Sequence, residues 1–275
     1  MPGEQSSRAA AVYDAASATF DSGPLSFWRH YGARTIERLG LLPGASVLDV
    51  ACGTGSSAIP AAHAVGERGF VTAVDVSEGM LARVRDKARG AGLANVTTVH
   101  CDMTSLAYPD RTFDAVVCVF GVFFAPDMTA FVRNLWRMVK PGGVLAVTSW
   151  GEGRFEPLAT AFADAVIRVR PGTGTSSEPW RQIGTPQKLA QFLLSAGVEN
   201  VTVDTETFEV KIESPPVWWE IVMGSGSRGR VDSLEPQEVE HVRQVMDAFI
   251  VQNNVTSVPT TGLFSIGRKG PARSL

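Results

Sequence analysis

Residues 47–55 read VLDVACGTG and carry more information than any other part of the chain. The first residues form a short apolar run, which predicts a buried strand. Gly53 and Gly55 follow it, and glycine allows both a tight turn and a close approach of a ligand to the backbone. Open α/β sheets bind their ligands at the carboxyl ends of parallel strands. The stretch therefore predicts a strand that leads into a ligand-binding loop.

Outward from this stretch, short apolar runs alternate with helical patterns. Strands are predicted at residues 46–51, 70–75, 95–101, 112–120 and 144–149, and helices at residues 54–65, 77–90 and 127–139. Strands this short and apolar, separated by helices, favour a parallel sheet with helices on both faces.

The two ends of the chain have less regular patterns. Residues 1–11 are polar or small and are expected to be frayed, and residues 12–42 read as two helices separated at Gly23-Pro24. Later helices are predicted at residues 155–170, 186–196 and 214–250, the last with a break at 224–229; later strands are predicted at residues 201–212 and 258–266. Residues 171–179 are rich in Gly, Ser and Thr and predict a mobile loop.

Composition narrows the class of protein. The chain has 275 residues, 44% of them hydrophobic and 19% charged, with a net charge of −3, so a sizeable core is expected and a nucleic-acid partner is not. No signal-peptide pattern or run of membrane-spanning length is present, which predicts a cytoplasmic protein without a membrane partner. The three cysteines are expected to be reduced, and no metal-ligand cluster is visible.

Two ligands fit the glycine-rich loop. Residues 53–58 match the dinucleotide pattern G-x-G-x-x-A, and Asp75 lies 20 residues past Gly55 at the end of the next predicted strand. An acidic residue there binds ribose hydroxyls in dinucleotide folds. The ligand is therefore expected to carry a free ribose diol, as both a nicotinamide dinucleotide and S-adenosylmethionine do.

Three features favour S-adenosylmethionine. Asp49 lies inside the first strand, where a carboxylate repels a pyrophosphate and attracts an amino group. Asp102 ends the third strand, where it can accept from an adenine amino group. Residues 140–143 read KPGG and form a predicted turn before the fifth strand.

The segments LDVACGTG, AVDVSEGML, HCDMTSLAYPDRTFDAVVCVFGVFF and LWRMVKPGGVLAVTSW (residues 48–55, 73–81, 100–124 and 135–150) resemble the class I S-adenosylmethionine-dependent methyltransferases. They are most similar to the branch with the ubiquinone/menaquinone-biosynthesis C-methyltransferases and many small-molecule enzymes. The resemblance implies one domain with a Rossmann-like, doubly wound, seven-stranded sheet whose last strand is antiparallel. Residues 1–42 would form a helical cover, 43–150 the cofactor-binding core, and 151–200 and 214–256 lid insertions.

The resemblance also implies a role for each residue of the cofactor site. The methionine part would contact Asp49 and the loop, Asp75 would accept from the ribose, and Asp102 from the adenine amino group. The full set of implied cofactor-binding residues is Asp49, Cys52, Gly53, Thr54, Gly55, Asp75, Val76, Met80, Asp102, Met103, Val119 and Phe120.

The substrate side is less well defined by the sequence. His30 lies in an aromatic segment that covers the active site in relatives, so it is a candidate general base. The candidate substrate wall is aromatic and comprises Tyr13, Phe20, Trp28, Phe123, Phe124 and Trp150, with Trp180, Trp218 and Trp219 as further candidates. This bias favours methyl transfer to an apolar or aromatic small molecule, such as a quinone precursor or a secondary metabolite, with S-adenosylhomocysteine as product.

Three alternatives stay open at this point. The protein could keep the fold and the cofactor but use the cofactor structurally, for example in a cyclase, because one fold hosts many functions. It could be an NAD-dependent oxidoreductase, or a methyltransferase that acts on protein or nucleic acid.

Overall fold

A seven-stranded sheet forms the centre of the computed structural model, which describes residues 4–172 and 178–271. The strands are β1 (Ser46–Val50), β2 (Phe70–Asp75), β3 (Val96–His100), β4 (Phe113–Val119), β5 (Val139–Trp150), β6 (Thr202–Lys211) and β7 (Ser257–Arg268). Their spatial order is β3-β2-β1-β4-β5-β7-β6. Strands β1 to β5 pair in parallel, and β7 is antiparallel to both β5 and β6. The expected doubly wound sheet with an antiparallel last strand is confirmed.

Helices cover both faces of the sheet. They are α1 (Glu4–Ala16), α2 (Ser26–Leu39), α3 (Ala58–Val65), α4 (Glu78–Gly90), α5 (Met128–Met138), α6 (Leu158–Val169), α7 (Pro186–Ser195), α8 (Pro215–Met223), α9 (Arg228–Val231) and α10 (Pro236–Gln252). Within the described residues, no helix combines the length and the apolar character that a membrane crossing requires.

The central strands are largely apolar because both sheet faces are covered. In β1, Leu48 and Val50 pack in the core on one face, while Val47 packs in the core on the other. In β4, Val116 and Val117 divide between the same two cores. Alternating side chains of a strand point to opposite faces, so a strand buried on both faces reads as a continuous apolar run.

The structure differs from the sequence predictions at several places. Helix α1 begins at Glu4 where fraying was expected, and its alanines explain this because alanine is the best helix former. Helix α3 begins at Ala58 rather than residue 54, since Gly53 and Gly55 have positive φ angles of 53° and 85° that a helix cannot contain. Strand β5 begins at Val139 and includes the predicted turn at 141–143.

The later segments match the predicted order of elements. The predicted helical region at 214–250 is divided by two breaks into α8, α9 and α10: the break at 224–227 falls within the predicted 224–229, whereas residues 228–229 belong to α9 and the break at 232–235 was not predicted. Residues 173–177 of the predicted loop lie outside the described residues, so its mobility stays a prediction. The same holds for the assignment of residues 151–200 and 214–256 as lid insertions.

Candidate active site

A cavity of ≈ 220 Å³ opens at the carboxyl ends of β1 to β4. Each strand contributes the residues at which it ends or that follow it, as parallel strands do at a ligand-binding edge. The lining residues are Ala9, Tyr13, Phe20, Trp28, Ala51, Cys52, Gly53, Thr54, Ser56, Ser57, Asp75, Val76, Met80, Cys101, Asp102, Met103, Thr104, Val119, Phe120, Phe124 and Pro126.

Asp75 ties the glycine-rich loop to the next helix. Its Oδ2 accepts from the Gly53 backbone N–H at 2.8 Å, and its Oδ1 accepts from the Ser77 N–H at 2.9 Å. Burial raises the pKa of Asp75, and the hydrogen bonds from Ser77 and Gly53 oppose this shift. The carboxylate is thus fixed in place at the cavity wall, where a ligand diol can donate to it.

Asp49 lies beneath the loop and is almost fully buried, with 1% of its surface exposed. Its Oδ2 accepts from the Ser57 hydroxyl at 2.7 Å, whereas its Oδ1 is buried and has no hydrogen-bond partner among the described residues. Desolvation raises the pKa of Asp49 to about 7, against the effect of the Ser57 bond. A buried carboxylate with an unused oxygen is suited to a ligand that brings a positive charge or hydrogen-bond donors.

Asp102 lines the cavity together with Met103 and Val76. Its Oδ1 accepts from the Thr104 backbone N–H at 2.8 Å and from the Thr104 hydroxyl at 2.7 Å. This caps the short 3₁₀ turn Met103–Ser105 and fixes the loop after β3. The apolar Val76, Met80 and Met103 side chains beside it offer flat contact area for a ring.

The N-terminal helices cover this cavity and are held at two points. Asp14 in α1 accepts from the Gly79 backbone N–H at 2.9 Å and from the Ser77 hydroxyl. Asp21 accepts from the Thr54 hydroxyl at 2.8 Å and from Lys87 Nζ at 2.7 Å. Both anchors attach the cover to α4 or to the glycine-rich loop.

One side of the cavity has an aromatic wall. Phe120 has a positive φ of 55°, an uncommon conformation for a bulky residue, and its ring stacks on Trp150 with 3.9 Å between centroids. Trp28 stands edge-on to Phe120 at 5.4 Å and stacks on Phe20 at 5.1 Å. The ring of Tyr13 lies 5.8 Å from that of Phe124.

Four of the six predicted wall residues line the cavity, namely Tyr13, Phe20, Trp28 and Phe124. Trp150 does not, because it is buried behind Phe120. Phe123 does not either, because it packs into the main core. The further candidates Trp180, Trp218 and Trp219 also lie outside the cavity lining.

His30 is not brought to the cavity. Its Nε2 lies 2.6 Å from Oε1 of Glu206 in β6, and its ring stacks on Phe208 at 4.5 Å. Arg34 and Arg38 bind the same carboxylate, at 3.1 Å and 2.6 Å. The histidine lies on the side of α2 that contacts β6, outside the cavity lining, and belongs to an ion-pair network. The geometry therefore gives no support to a role as general base.

Ten of the twelve predicted cofactor residues line the cavity. The two that do not are Asp49, which lies beneath the loop, and Gly55. A Cβ at Gly55 would lie 3.3 Å from Ile59 and Val84, so this glycine serves helix packing. The sequence reasoning missed seven lining residues, namely Ala9, Ala51, Ser56, Ser57, Cys101, Thr104 and Pro126. The alanine-rich composition of α1 was the available signal for Ala9. The position of Ser57 directly before α3 was the available signal for a polar group at the N-terminus of that helix.

The described part of the chain contains no group of three or more His, Cys, Asp or Glu side chains that could hold a metal ion. The acidic residues of this region are Asp75 and Asp102 in the cavity lining and Asp49 beneath the glycine-rich loop. A ligand that contacts all three must carry several polar groups.

Comparison with known proteins identifies the family. The model of the methyltransferase domain matches residues 47–143. The chain is 32% identical over 204 residues to the ubiquinone/menaquinone biosynthesis C-methyltransferase UbiE of Shewanella sp. (strain ANA-3), an alignment that covers 70% of this chain and 80% of that protein. It is 31% identical over 210 residues to UbiE of Yersinia enterocolitica, with 72% and 82% covered.

Solved structures share the fold. An S-adenosylmethionine-dependent methyltransferase from Aquifex aeolicus has a TM-score of 0.51 at 23% identity, covering 70% of this chain and 90% of that one. The [4+2]-cyclase SpnF has a TM-score of 0.54 at 22% identity, covering 89% and 81%. Likeness at such identities is one of fold alone, so the cyclase alternative gains nothing specific from it. Because the sequence similarity to C-methyltransferases extends over most of both chains, the protein belongs to the class I S-adenosylmethionine-dependent methyltransferases.

Proposed function

We propose that this enzyme methylates an apolar or aromatic small molecule, either quinone-like or a secondary metabolite. The observation that carries the proposal is the division of the cavity into a polar and an aromatic side. The carboxylates Asp75 and Asp102 follow β2 and β3, whereas Phe120 and Trp28 stand on the side of β4 and β5. The relatives that cover most of the chain are C-methyltransferases of quinone biosynthesis.

The polar side fits S-adenosylmethionine. Asp75 would bind the ribose hydroxyls, Asp102 the adenine amino group, and the unpartnered Oδ1 of Asp49 would accept from the ammonium group of the methionine part. The bound cofactor supplies an electrophilic methyl group on a sulfonium. Met80, which is 1% exposed, and Val76 would pack against the adenine ring.

The chain's contribution to the reaction is to orient the acceptor and exclude water. Methyl transfer needs the nucleophile in line with the methyl carbon, and holding two reactants in this geometry lowers the barrier by several kcal/mol. Phe20, Trp28 and Phe120 would hold a flat apolar acceptor, while α1 covers the site. Burial raises the pKa of Tyr13, so this wall residue stays a neutral phenol. The aromatic wall therefore favours an acceptor that is neutral and flat.

The test is methyl transfer to a panel of acceptors, with S-adenosylhomocysteine release measured by mass spectrometry. The panel contains 1,4-benzoquinols and 1,4-naphthoquinols with and without an alkyl chain, and sarcosine and phosphoethanolamine as polar comparators. We expect turnover with the quinols and none with the polar amines. Turnover with the amines alone would refute the proposed substrate class.

Two neighbouring residues give a matched pair of variants. Phe124→Ala removes a ring from the cavity wall, so KM for the quinol should rise about tenfold while cofactor affinity stays unchanged. Phe123→Ala removes a ring from the core, so it should lower the free energy of unfolding by about 3 kcal/mol with a smaller effect on KM. Equal KM values in the two variants would contradict the assigned wall.

A further inference from the structure

The indole of Trp28 occupies a distinctive place in the cavity wall. It lies between Phe20, on which it stacks, and Phe120, which it meets edge-on. Its centroid is 5.4 Å from that of Trp150 at the end of β5. The sheet order puts β4 and β5 on the opposite side of β1 from β2 and β3. Trp28 therefore extends from Phe20, which packs with Met80 beside the glycine-rich loop, to the β4 and β5 side of the cavity that is left for the acceptor.

The N–H group of this indole is unpaired within the described part of the chain: Trp28 Nε1 is buried, and none of the residues 4–172 and 178–271 provides a hydrogen-bond partner for it. A buried donor that is left unpaired costs free energy, and a phenylalanine at the same position would provide the same stacking without that cost. By contrast, Trp180 Nε1 donates to Glu178 Oε2 at 3.0 Å. An unpaired donor on a residue of the ligand cavity points to an acceptor that arrives with the ligand.

Tyr13 is the other wall residue with a polar tip, and its position differs. A Cβ built on Gly226 would lie 3.8 Å from the Tyr13 hydroxyl, so this group is directed towards the segment after α8. The Trp28 N–H is accordingly the better placed donor for a molecule held against the aromatic wall.

We propose that Trp28 is a positioning residue whose Nε1–H donates a hydrogen bond to an oxygen of the methyl acceptor. This proposal rests on the proposed function and narrows it, because it restricts the favoured acceptors to aromatic rings that carry a hydroxyl or carbonyl oxygen. The bond would fix the rotation of the ring in its own plane, which stacking alone leaves free. It would thereby select which ring atom faces the methyl group.

The test is binding of 1-naphthol and naphthalene to the complex of the protein with S-adenosylhomocysteine, measured by calorimetry. The two probes share the ring system and differ by one oxygen. Trp28→Phe should weaken naphthol binding about tenfold, the value of one hydrogen bond, and leave naphthalene binding unchanged. Trp218→Phe is the matched control, since Trp218 Nε1 is also buried and unpaired but lies outside the cavity lining. It should change neither affinity.

A second measurement uses the unmodified protein. The chain has six tryptophans, so a ¹⁵N–¹H spectrum contains only six indole N–H signals. The signal that is missing from the spectrum of Trp28→Phe belongs to Trp28. Naphthol should move the Trp28 indole proton downfield, whereas naphthalene should not. If Trp28→Phe and Trp218→Phe bind naphthol equally and the Trp28 signal does not move, the proposed hydrogen bond is refuted while the aromatic substrate class stands. If neither probe binds the unmodified complex, the substrate class is refuted as well.

Discussion

Replacing Asp49 with asparagine should stabilise the ligand-free enzyme at pH 8 and at the same time weaken cofactor binding. Burial raises the pKa of Asp49 from 3.8 to about 7, which corresponds to about 4 kcal/mol of destabilisation once the group is ionised. Because the pKa is higher in the folded than in the unfolded state, this penalty is absent below pH 4. It grows between pH 4 and 7 and is constant above pH 7.

Asparagine keeps the shape of the side chain and can still accept from the Ser57 hydroxyl. Its amide N–H groups take the place of the unpartnered Oδ1, and leaving them unpaired costs about 1–3 kcal/mol. The net gain for Asp49→Asn at pH 8 should therefore be about 1–3 kcal/mol. At pH 4 the gain should disappear, because aspartic acid is then neutral in the folded protein too.

Cofactor binding should be weakened by the same substitution that raises the stability of the ligand-free protein. With a pKa of about 7, Asp49 is about nine-tenths ionised at pH 8 and one-tenth ionised at pH 6, so affinity for S-adenosylhomocysteine should fall about tenfold over that range. The asparagine variant should bind more weakly than the unmodified enzyme at pH 8 and lose this pH dependence.

Urea unfolding at pH 4 and pH 8, together with calorimetric titration of S-adenosylhomocysteine at pH 6 and pH 8, measures both effects. Ser57→Ala is the matched control, because it keeps the carboxylate and removes the hydroxyl that donates to it. That variant should lose stability at pH 8 and retain the pH dependence of binding. If Asp49→Asn lowers the free energy of unfolding at pH 8, the buried charge of Asp49 does not destabilise the folded protein as its burial indicates.

Other substitutions probe the rest of the site. Asp75→Ala should weaken cofactor binding at least hundredfold in calorimetry, because two charge-assisted hydrogen bonds to the ribose are lost; affinity within threefold would exclude the assigned role. His30→Ala should leave kcat within about twofold and lower the free energy of unfolding by about 1 kcal/mol, and a large fall in kcat would restore the general-base hypothesis. Burial alone would raise the pKa of Glu206, but the hydrogen bonds from Arg38, His30 and Arg34 lower it to about 2. The unmodified protein should therefore be more stable than Glu206→Gln by a full and constant amount above pH 4.5, and this difference should vanish as the pH falls to 2. A difference in stability that does not change with pH would contradict the ion-pair network. Gly32→Ala should cost more than about 2 kcal/mol because its Cβ would lie 2.4 Å from the backbone of the glycine-rich loop, whereas Gly229→Ala, with open space around it, should be nearly neutral in the same unfolding assay.

The sheet could be predicted from the sequence because each central strand is buried on both faces. Runs such as residues 46–50 and 113–119 are short, apolar and bounded by turn residues, a pattern that few other structures produce. The acidic residues of the site are tied to strand ends, so the prediction of the strands also placed Asp75 and Asp102 at one edge. Local sequence contained enough information for that half of the site.

The acceptor side depended on contacts between distant parts of the chain. His30 lies in an aromatic segment, but its partner Glu206 is 176 residues away, and nothing near His30 reveals which side of α2 it occupies. Trp150 was expected on the wall and is covered by Phe120, because the positive φ of Phe120 turns that ring across it. Such exclusions follow from tertiary packing, which the periodicity of a helix or strand does not encode.

The position of β7 has a consequence for how the chain is made. This strand leaves the ribosome after β1 to β6, yet it lies in the interior of the sheet and pairs with β5 along one edge and with β6 along the other. Until it emerges, both neighbours expose unpaired backbone groups, and such edges invite pairing with other chains. The five parallel strands that carry the cofactor residues can assemble earlier, since every pairing of these strands with one another is complete by residue 150. A nascent chain of this protein therefore passes through a stage in which the cofactor-binding half is formed while the β5 edge is unpaired, because its partner strand lies more than a hundred residues further along the chain. At that stage the exposed edge is most prone to aggregation, and binding of a chaperone would be most useful.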